Sequence, residues 1–268
     1  MIEKARIKAA IFKNKILKSP DNKQLKQIIS LIDYTTLNDA DNIESVTQWI
    51  KDSQLLIEKT GVSFGGWCTY AEFAPLVKKL RGSLSVSIAV VSGNFPSGKA
   101  ATEIKVKESA LAEQYGAEEI DVVINKGWAV NSEYDKIGKE LKAVRKALKK
   151  SHLKVIMETG LLTPAQIQNI SETAINAGAD FIKTSTGKIP QGASLEAVAI
   201  MCFQIKEHYR LTGKKVGIKP SGGISTPDEA LRYLLLVEDV LGEEWVEPNF
   251  FRIGASRLLK NAIDGLTS

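Results

Sequence analysis

Eight short runs rich in β-branched residues recur along the chain, most starting about 30 residues after the one before. They are SLIDYTTL (30–37), SFGGWCT (63–69), VSIAVVSG (86–93), EIDVVIN (119–125), LKVIMETG (153–160), FIKTSTG (181–187), KVGIKPSGG (215–223) and FFRIGAS (250–256). That spacing is the length of one strand–helix unit. The intervening segments carry helical periodicity, as in SVTQWIKDSQLLIEK, ATEIKVKESALAEQY, YDKIGKELKAVRKALKK and LEAVAIMCFQIKEHY. Eight alternations without a break in composition predict an α/β fold, a (β/α)8 barrel of parallel strands. The alternative is an open doubly wound sheet. It would often carry GxGxxG after the first strand, and none stands there.

Local punctuation fits this reading. Asp41 with Glu44, Thr163 with Gln166 and Thr226 with Glu229 have the spacing of a reciprocal N-terminal cap. Pro164 and Pro227 fall at the first helical position, where a missing N–H costs nothing. Gly116 and Gly178, each in a G-A-acid sequence before a strand, fit the left-handed position just past a helix. Residues 1–29, with Ile7, Ala10, Ile11, Leu25, Ile28 and Ile29, predict one or two extra helices that cap the lower end of the barrel or support an oligomer contact. Residues 30–268 are read as the barrel, the two parts forming one domain.

Composition narrows the partners. No stretch approaches the roughly 18 apolar residues of a membrane span, and the charged N-terminus lacks the apolar core of a secretory signal. Cys68 and Cys202 make no disulfide framework, so a cytoplasmic location is expected. His152 and His208 are the only histidines, and no Cys/His cluster has zinc spacing, so neither a metal nor a cofactor is expected. The net charge of +5 comes from lysines interspersed with acids. Without an arginine-rich run this reads as a solvated surface, and nucleic acid is not an expected partner. The N-terminal helices and the apolar residues of TPDEALRYLLLVEDVLG permit a homodimer.

Parallel barrels carry their chemistry at the C-terminal ends of the strands. Three charges interrupt otherwise apolar strands there: Asp121, Lys183 and Lys219. Lys183 and Lys219 fall on consecutive strands, about 4.8 Å apart. If both point inward, like charge and desolvation disfavour the ammonium, and the pKa of one should fall. An uncharged amine is what attack on a carbonyl requires. Asp121 is then a counter-charge or a proton shuttle. The competing reading is a purely structural Lys–Asp ion network. Lys154, Ile156 and Glu158 share one face of the fifth strand and add a further Lys/Glu pair. The loops STGK (185–188), PSGG (220–223) and GAS (254–256) follow strands six to eight. Glycine loops ahead of helix N-termini suit a phosphate, and Lys188 adds a charge.

At these residues the sequence resembles the 2-deoxyribose-5-phosphate aldolase family of class I, Schiff-base-forming aldolases. The matching segments are LIDYTTLN, WCTYAEFAP, GAEEIDVVIN, KVIMETGLL, AGADFIKTSTGK, VGIKPSGGI and FRIGASRLL, in family order from residue 31 to 259. The resemblance implies reversible cleavage of 2-deoxy-D-ribose 5-phosphate to glyceraldehyde 3-phosphate and acetaldehyde. It implies that Lys183 forms the Schiff base, that Lys219 acts on it electrostatically to favour its uncharged form, and that Asp121 relays protons with water. Asp33 matches an aspartate beside the lysines and Cys68 a cysteine of the substrate pocket. Thr186, Gly187, Lys188, Gly222, Gly223, Gly254 and Ser256 match the loops that bind phosphate. The implied partners are a phosphorylated sugar and an aldehyde.

The sequence departs from the family at Arg257, where a second serine is expected, and at GWCT, which replaces a more apolar stretch. It ends in DGLTS, without the tyrosine-tipped tail of some members, which implies a less efficient proton transfer. The alternatives are another Schiff-base lyase or transaldolase-like barrel acting on a different sugar phosphate, and a non-catalytic phosphosugar-binding barrel.

Overall fold

The computed structural model describes residues 1–266, so the last two residues of DGLTS lie outside the described part. All eight predicted strands form, each shorter than its apolar run: β1 (Ile32–Thr35), β2 (Gly66–Tyr70), β3 (Ser87–Ser92), β4 (Glu119–Val123), β5 (His152–Ile156), β6 (Phe181–Lys183), β7 (Gly217–Lys219) and β8 (Ile253–Ala255). Every ladder is parallel and joins consecutive strands, and β1 also pairs with β8. Backbone bonds from Ile218 N to Phe250 O (2.8 Å), Arg252 N to Ile218 O (3.0 Å) and Gly254 N to Pro220 O (2.9 Å) bring β7 and β8 together. The result is a (β/α)8 barrel rather than an open sheet. The strands are buried on both faces, which is why they read as continuous β-branched runs.

Helices α1 (Ile2–Asn14) and α2 (Asn22–Ser30) precede β1, and α3 (Ile43–Thr60), α4 (Ala74–Arg81), α5 (Thr102–Gln114), α6 (Lys126–Val130), α7 (Tyr134–Ala147), α8 (Pro164–Asn176), α9 (Leu195–Thr212), α10 (Pro227–Leu241) and α11 (Leu258–Leu266) complete the outer layer. The caps at Thr163/Gln166 and Thr226/Glu229 are reciprocal as predicted, with proline in the first turn. Gly116 and Gly178 take φ of +100° and +94°. The third predicted cap is displaced by one residue. Asn42, not Asp41, caps α3 in a reciprocal pair with Ser45. The Asp41 carboxylate is already engaged by Thr36 Oγ1 (2.7 Å), Asn38 N (2.9 Å) and Asn38 Nδ2 (3.1 Å), which pins the loop after β1.

The N-terminal extension forms two helices, but α1 lies on the outer ring, against α8, α9 and α10, and not across the lower end. Its inward side chains are Ala5, Ala9 and Phe12, whereas Ile7 and Ile11 are exposed. Two alanines let the helix approach closely. The ion pairs Arg6–Glu196 (3.0 Å) and Lys8–Asp239 (2.6 Å) fix its rotation. Arg232 of α10 closes its C-terminus by donating to the carbonyls of Phe12 (2.6 Å) and Lys15 (3.0 Å). Most apolar residues of α10 are buried within the chain itself.

Glu113 of α5 ties the barrel's helix layer to the start of β5 by accepting from the amides of Lys149 (2.9 Å), Lys150 (2.8 Å) and Ser151 (2.7 Å). Burial opposes its charge, but these bonds win and lower its pKa to about 2. The stabilisation is therefore present above the unfolded glutamate value of about 4.3 and is lost as pH falls towards 2. Glu113→Ala is expected to cost about 1 kcal/mol at pH 7, a value limited by partial exposure. Urea denaturation as a function of pH should show the difference from the parent closing between about pH 4.5 and 2.

Candidate active site

Lys183 ends β6, Lys219 ends β7, and the two are Cα partners in the β6–β7 ladder. Residues paired in a ladder point to the same face, so both enter the barrel. Their Nζ atoms each lie 2.7 Å from the same oxygen, Asp121 Oδ2 on β4. They are therefore within about twice that distance of each other. Asp121 and Lys219 are fully buried, and Lys183 is 3% exposed.

The two amino groups do not simply face each other; the Asp121 carboxylate bridges them. Burial works against the Lys219 ammonium, but Asp121 and Asp33 outweigh it and raise its pKa well above the usual lysine value. Lys219 thus remains charged at any physiological pH. Asp121 is likewise opposed by burial, yet Lys183 and Lys219 hold its carboxyl far below the ordinary range. One of its oxygens, Oδ1, is buried without a hydrogen-bond partner in the protein.

Asp33 of β1 supports this group from below. Its Oδ2 accepts from Lys219 and from Lys154 (3.2 Å), and its Oδ1 from Arg252 (2.5 Å). Against the cost of burial, Lys154, Lys219 and Arg252 keep it ionised, well below the normal carboxylate pKa. Oδ2 carries two of these contacts and Oδ1 one, so Asp33 is tied to Lys219 and to the cations behind it. Cys68 is also buried. It packs with Ala89 and Val91 in a small apolar cluster inside the barrel, flanked by Leu37, Tyr70 and Phe95. Burial raises the pKa of its thiol, an effect Lys219 only partly offsets, so it presents an uncharged sulfur.

Above the lysines opens a cavity of about 370 Å³. Lys183 is at its floor, and Thr186, Gly187, Lys188, Gly222, Gly223, Gly254 and Ser256 all line it. Asp33, Cys68, Asp121 and Lys219 do not; they lie beneath. Among the described residues, the backbone N–H groups of Gly187, Gly222, Gly223 and Ser256 donate to no protein acceptor. Gly222 and Gly223 take φ of +82° and +84°, which lets two successive amides turn into one concavity. The GAS loop leads into the N-terminus of α11, whose dipole favours an anion. Arg257 borders the same cavity, so the position that departs from the family pattern adds a cation. Lys188 contacts the exposed Asp39 at 3.1 Å.

Glu158 and Lys154 are not the ion pair suggested by strand alternation. Lys154 points down to Asp33 and Glu119. Glu158, beyond the end of β5, holds Lys126 (2.9 Å) and accepts from Thr186 N (3.0 Å) and Thr186 Oγ1 (2.6 Å), which shapes the loop after β6. Sequence reasoning missed Glu119 and Arg252, both of them buried ligands of this ion network. The available signal was parity: Glu119 lies two before Asp121 and Arg252 two before Gly254, hence on the inner face.

Gly254 is constrained by contact. A Cβ there would sit 2.8 Å from Ser221 Cβ and 3.3 Å from Lys219 Cε. Ser221 cannot yield, because its N donates to Thr184 Oγ1 (2.9 Å) and its Oγ to Ser185 O (2.6 Å). Gly254→Ala is expected to cost about 1–3 kcal/mol of stability through overpacking. Urea denaturation will show it.

A model of the DeoC/LacD family of aldolases matches residues 27–237. This chain belongs to that family. A mouse deoxyribose-phosphate aldolase is 36% identical over 250 residues, covering 88% of this chain and 79% of the mouse protein. A Caenorhabditis elegans protein provisionally named deoxyribose-phosphate aldolase is 42% identical over 247 residues, covering 91% of this chain and 82% of its own. A crystal structure of a Coccidioides immitis protein with the same provisional name superimposes with a TM-score of 0.76 at 26% identity, over 99% of this chain and 98% of that one. In this aldolase, no helix among the described residues is long and apolar enough to cross a membrane.

Proposed function

We propose that this aldolase cleaves 2-deoxy-D-ribose 5-phosphate reversibly to glyceraldehyde 3-phosphate and acetaldehyde, through a Schiff base on Lys183. One observation carries the reading. Of the buried lysines joined to Asp121, Lys183 alone borders the cavity, directly beneath loops suited to a phosphate.

In the cleavage direction, uncharged Lys183 attacks C1 of the open-chain aldehyde. The carbinolamine loses its hydroxyl as water and leaves an iminium. The C3 hydroxyl then gives up its proton, and the C2–C3 electron pair moves into the iminium. This releases glyceraldehyde 3-phosphate and leaves an enamine. Protonation at C2 and hydrolysis free acetaldehyde and restore the amine. Asp121 Oδ1 is the buried acceptor next to these events. Its low proton affinity makes it a relay that orients water and passes a proton on, rather than a base that keeps one. Lys219 stays charged and favours the uncharged state of its neighbour. The amides of the three loops, Lys188 and Arg257 take the phosphate. The apolar cluster around Cys68 suits the two-carbon end of the substrate.

The two free, buried cysteines suit a reducing compartment, the cytoplasm. The exposed Ile7 and Ile11 on α1 are the apolar side chains a homodimer would cover. The test of function is direct. Purified protein is expected to release both products from 2-deoxyribose 5-phosphate, with a rate unaffected by EDTA. Absence of cleavage, or loss of activity restored by Zn²⁺, would overturn the reading.

A further inference from the structure

Below the reacting lysine the barrel holds four charged side chains that the proposed chemistry never touches. Arg252 reaches Asp33 Oδ1 (2.5 Å) and Glu119 Oε1 (2.8 Å), while Lys154 reaches Asp33 Oδ2 (3.2 Å) and Glu119 Oε2. They close a ring of alternating sign, at most 4% exposed for the residues as wholes. The ring contains two cations and two carboxylates and is neutral. Through Asp33 it is joined to Lys219, and so to Asp121 and Lys183. With every group ionised, the connected set holds four cations and three carboxylates, a surplus of one positive charge. In a low-dielectric interior such a surplus is expensive. Loss of a single proton removes it. Lys183 is the member placed to lose one, because it shares its only carboxylate with Lys219 and alone opens to the cavity.

We propose that Glu119 and Arg252 are positioning residues that set the charge of the barrel floor, and through it the pH range over which Lys183 is reactive. The inference rests on the Schiff-base reading above. The groups that face Lys183 are Asp121 on β4, Lys219 on β7 and Cys68 on β2. Behind them stand Asp33 on β1 and Lys154 on β5. Toward the cavity are Lys188, Arg257 and the Glu158–Lys126 pair. The ring acts as a fixed background charge at the floor.

The signs follow directly. Arg252→Gln removes a positive charge, so the floor holds the Lys183 proton more firmly. The acid limb of the kcat/KM profile moves to higher pH. Glu119→Gln removes a negative charge and moves the limb to lower pH. Each shift is on the order of one pH unit for a buried charge at this remove. The double variant Glu119→Gln/Arg252→Gln has the parent's net charge and should return the limb to its original place. Arg252→Lys keeps the charge and should leave the limb unmoved even if kcat falls. A merely structural role lowers activity in all four without moving the limb.

The experiment measures kcat/KM against pH for the full chain and these variants. Borohydride trapping of acetaldehyde is run on each as a control. Opposite shifts in the single variants, cancelling in the double, support the inference. An unmoved limb, or two shifts of the same sign, in proteins that still trap acetaldehyde on Lys183 would overturn it. Should Glu119→Gln not fold, Arg252→Gln against Arg252→Lys decides alone: a shift in the first and not the second supports the inference, and equal behaviour overturns it. Failure of the parent to trap acetaldehyde on Lys183 would instead count against the Schiff-base reading.

Discussion

Replacing Lys183 with alanine is expected to lower turnover by at least about 10⁴-fold, the equivalent of more than 5 kcal/mol of barrier. The covalent route has no substitute nucleophile. Lys219, the nearest amine, is fully buried beneath the cavity and held as a cation by two carboxylates. The fold should survive. Asp121 retains Lys219 as its partner, and the shortened side chain leaves space that opens to the cavity. Lys183→Arg distinguishes charge from chemistry, because it places a permanent cation there without a nucleophile and should be equally inactive. Activity within about tenfold of the parent in either variant would remove Lys183 from its role.

Lys219→Leu should have the second largest effect, and on two quantities. The substitution takes a cation from Asp121 and Asp33 at once. Both carboxylates are buried, so the loss should cost about 3–5 kcal/mol of stability. Their depressed pKa values mean that the parent's ion network stabilises the fold above about pH 4, the unfolded aspartate value, and is lost only as pH falls through the lower folded values. In Lys219→Leu that loss should begin at higher pH. The raised pKa of Lys219 has the opposite sign: its contribution is complete below about 10.4 and disappears only as pH rises through the folded value. The parent's stability near neutrality is therefore insensitive to it. On activity, losing the cation beside Lys183 should move the acid limb of the pH–rate profile upward by more than about one unit. An unchanged profile in folded protein would refute the electrostatic role of Lys219.

The barrel was legible because parallel strands covered on both faces must be β-branched and apolar, which makes eight such runs stand out from amphipathic helices. For the same reason a lysine or aspartate inside such a run is conspicuous, and Lys183, Lys219 and Asp121 do meet inside the barrel. The rest depended on information that local pattern does not hold. Glu118 and Glu119 are adjacent acids at the start of β4. One pairs with Arg81 at the surface and the other with Arg252 and Lys154 inside, and only strand parity separates them. The displaced cap of α3 arose because Asp41 and Asn42 are both good capping residues and the loop after β1 claims the first. On α1 the residues Ile7, Ala10 and Ile11 pointed to a helix without saying which face it buries, and the close approach to α9 selects Ala5 and Ala9. The ion network itself joins residues from β1, β4, β5, β6 and β7 with Arg252 just before β8. Its connectivity exists only once the barrel closes.

The most direct test of the central claim is mass spectrometry of the protein after borohydride reduction in the presence of acetaldehyde. A single ethyl adduct is expected, mapped to the peptide containing Lys183 and absent from Lys183→Ala. An adduct on Lys219 instead, or none in protein that turns over 2-deoxyribose 5-phosphate, would contradict it.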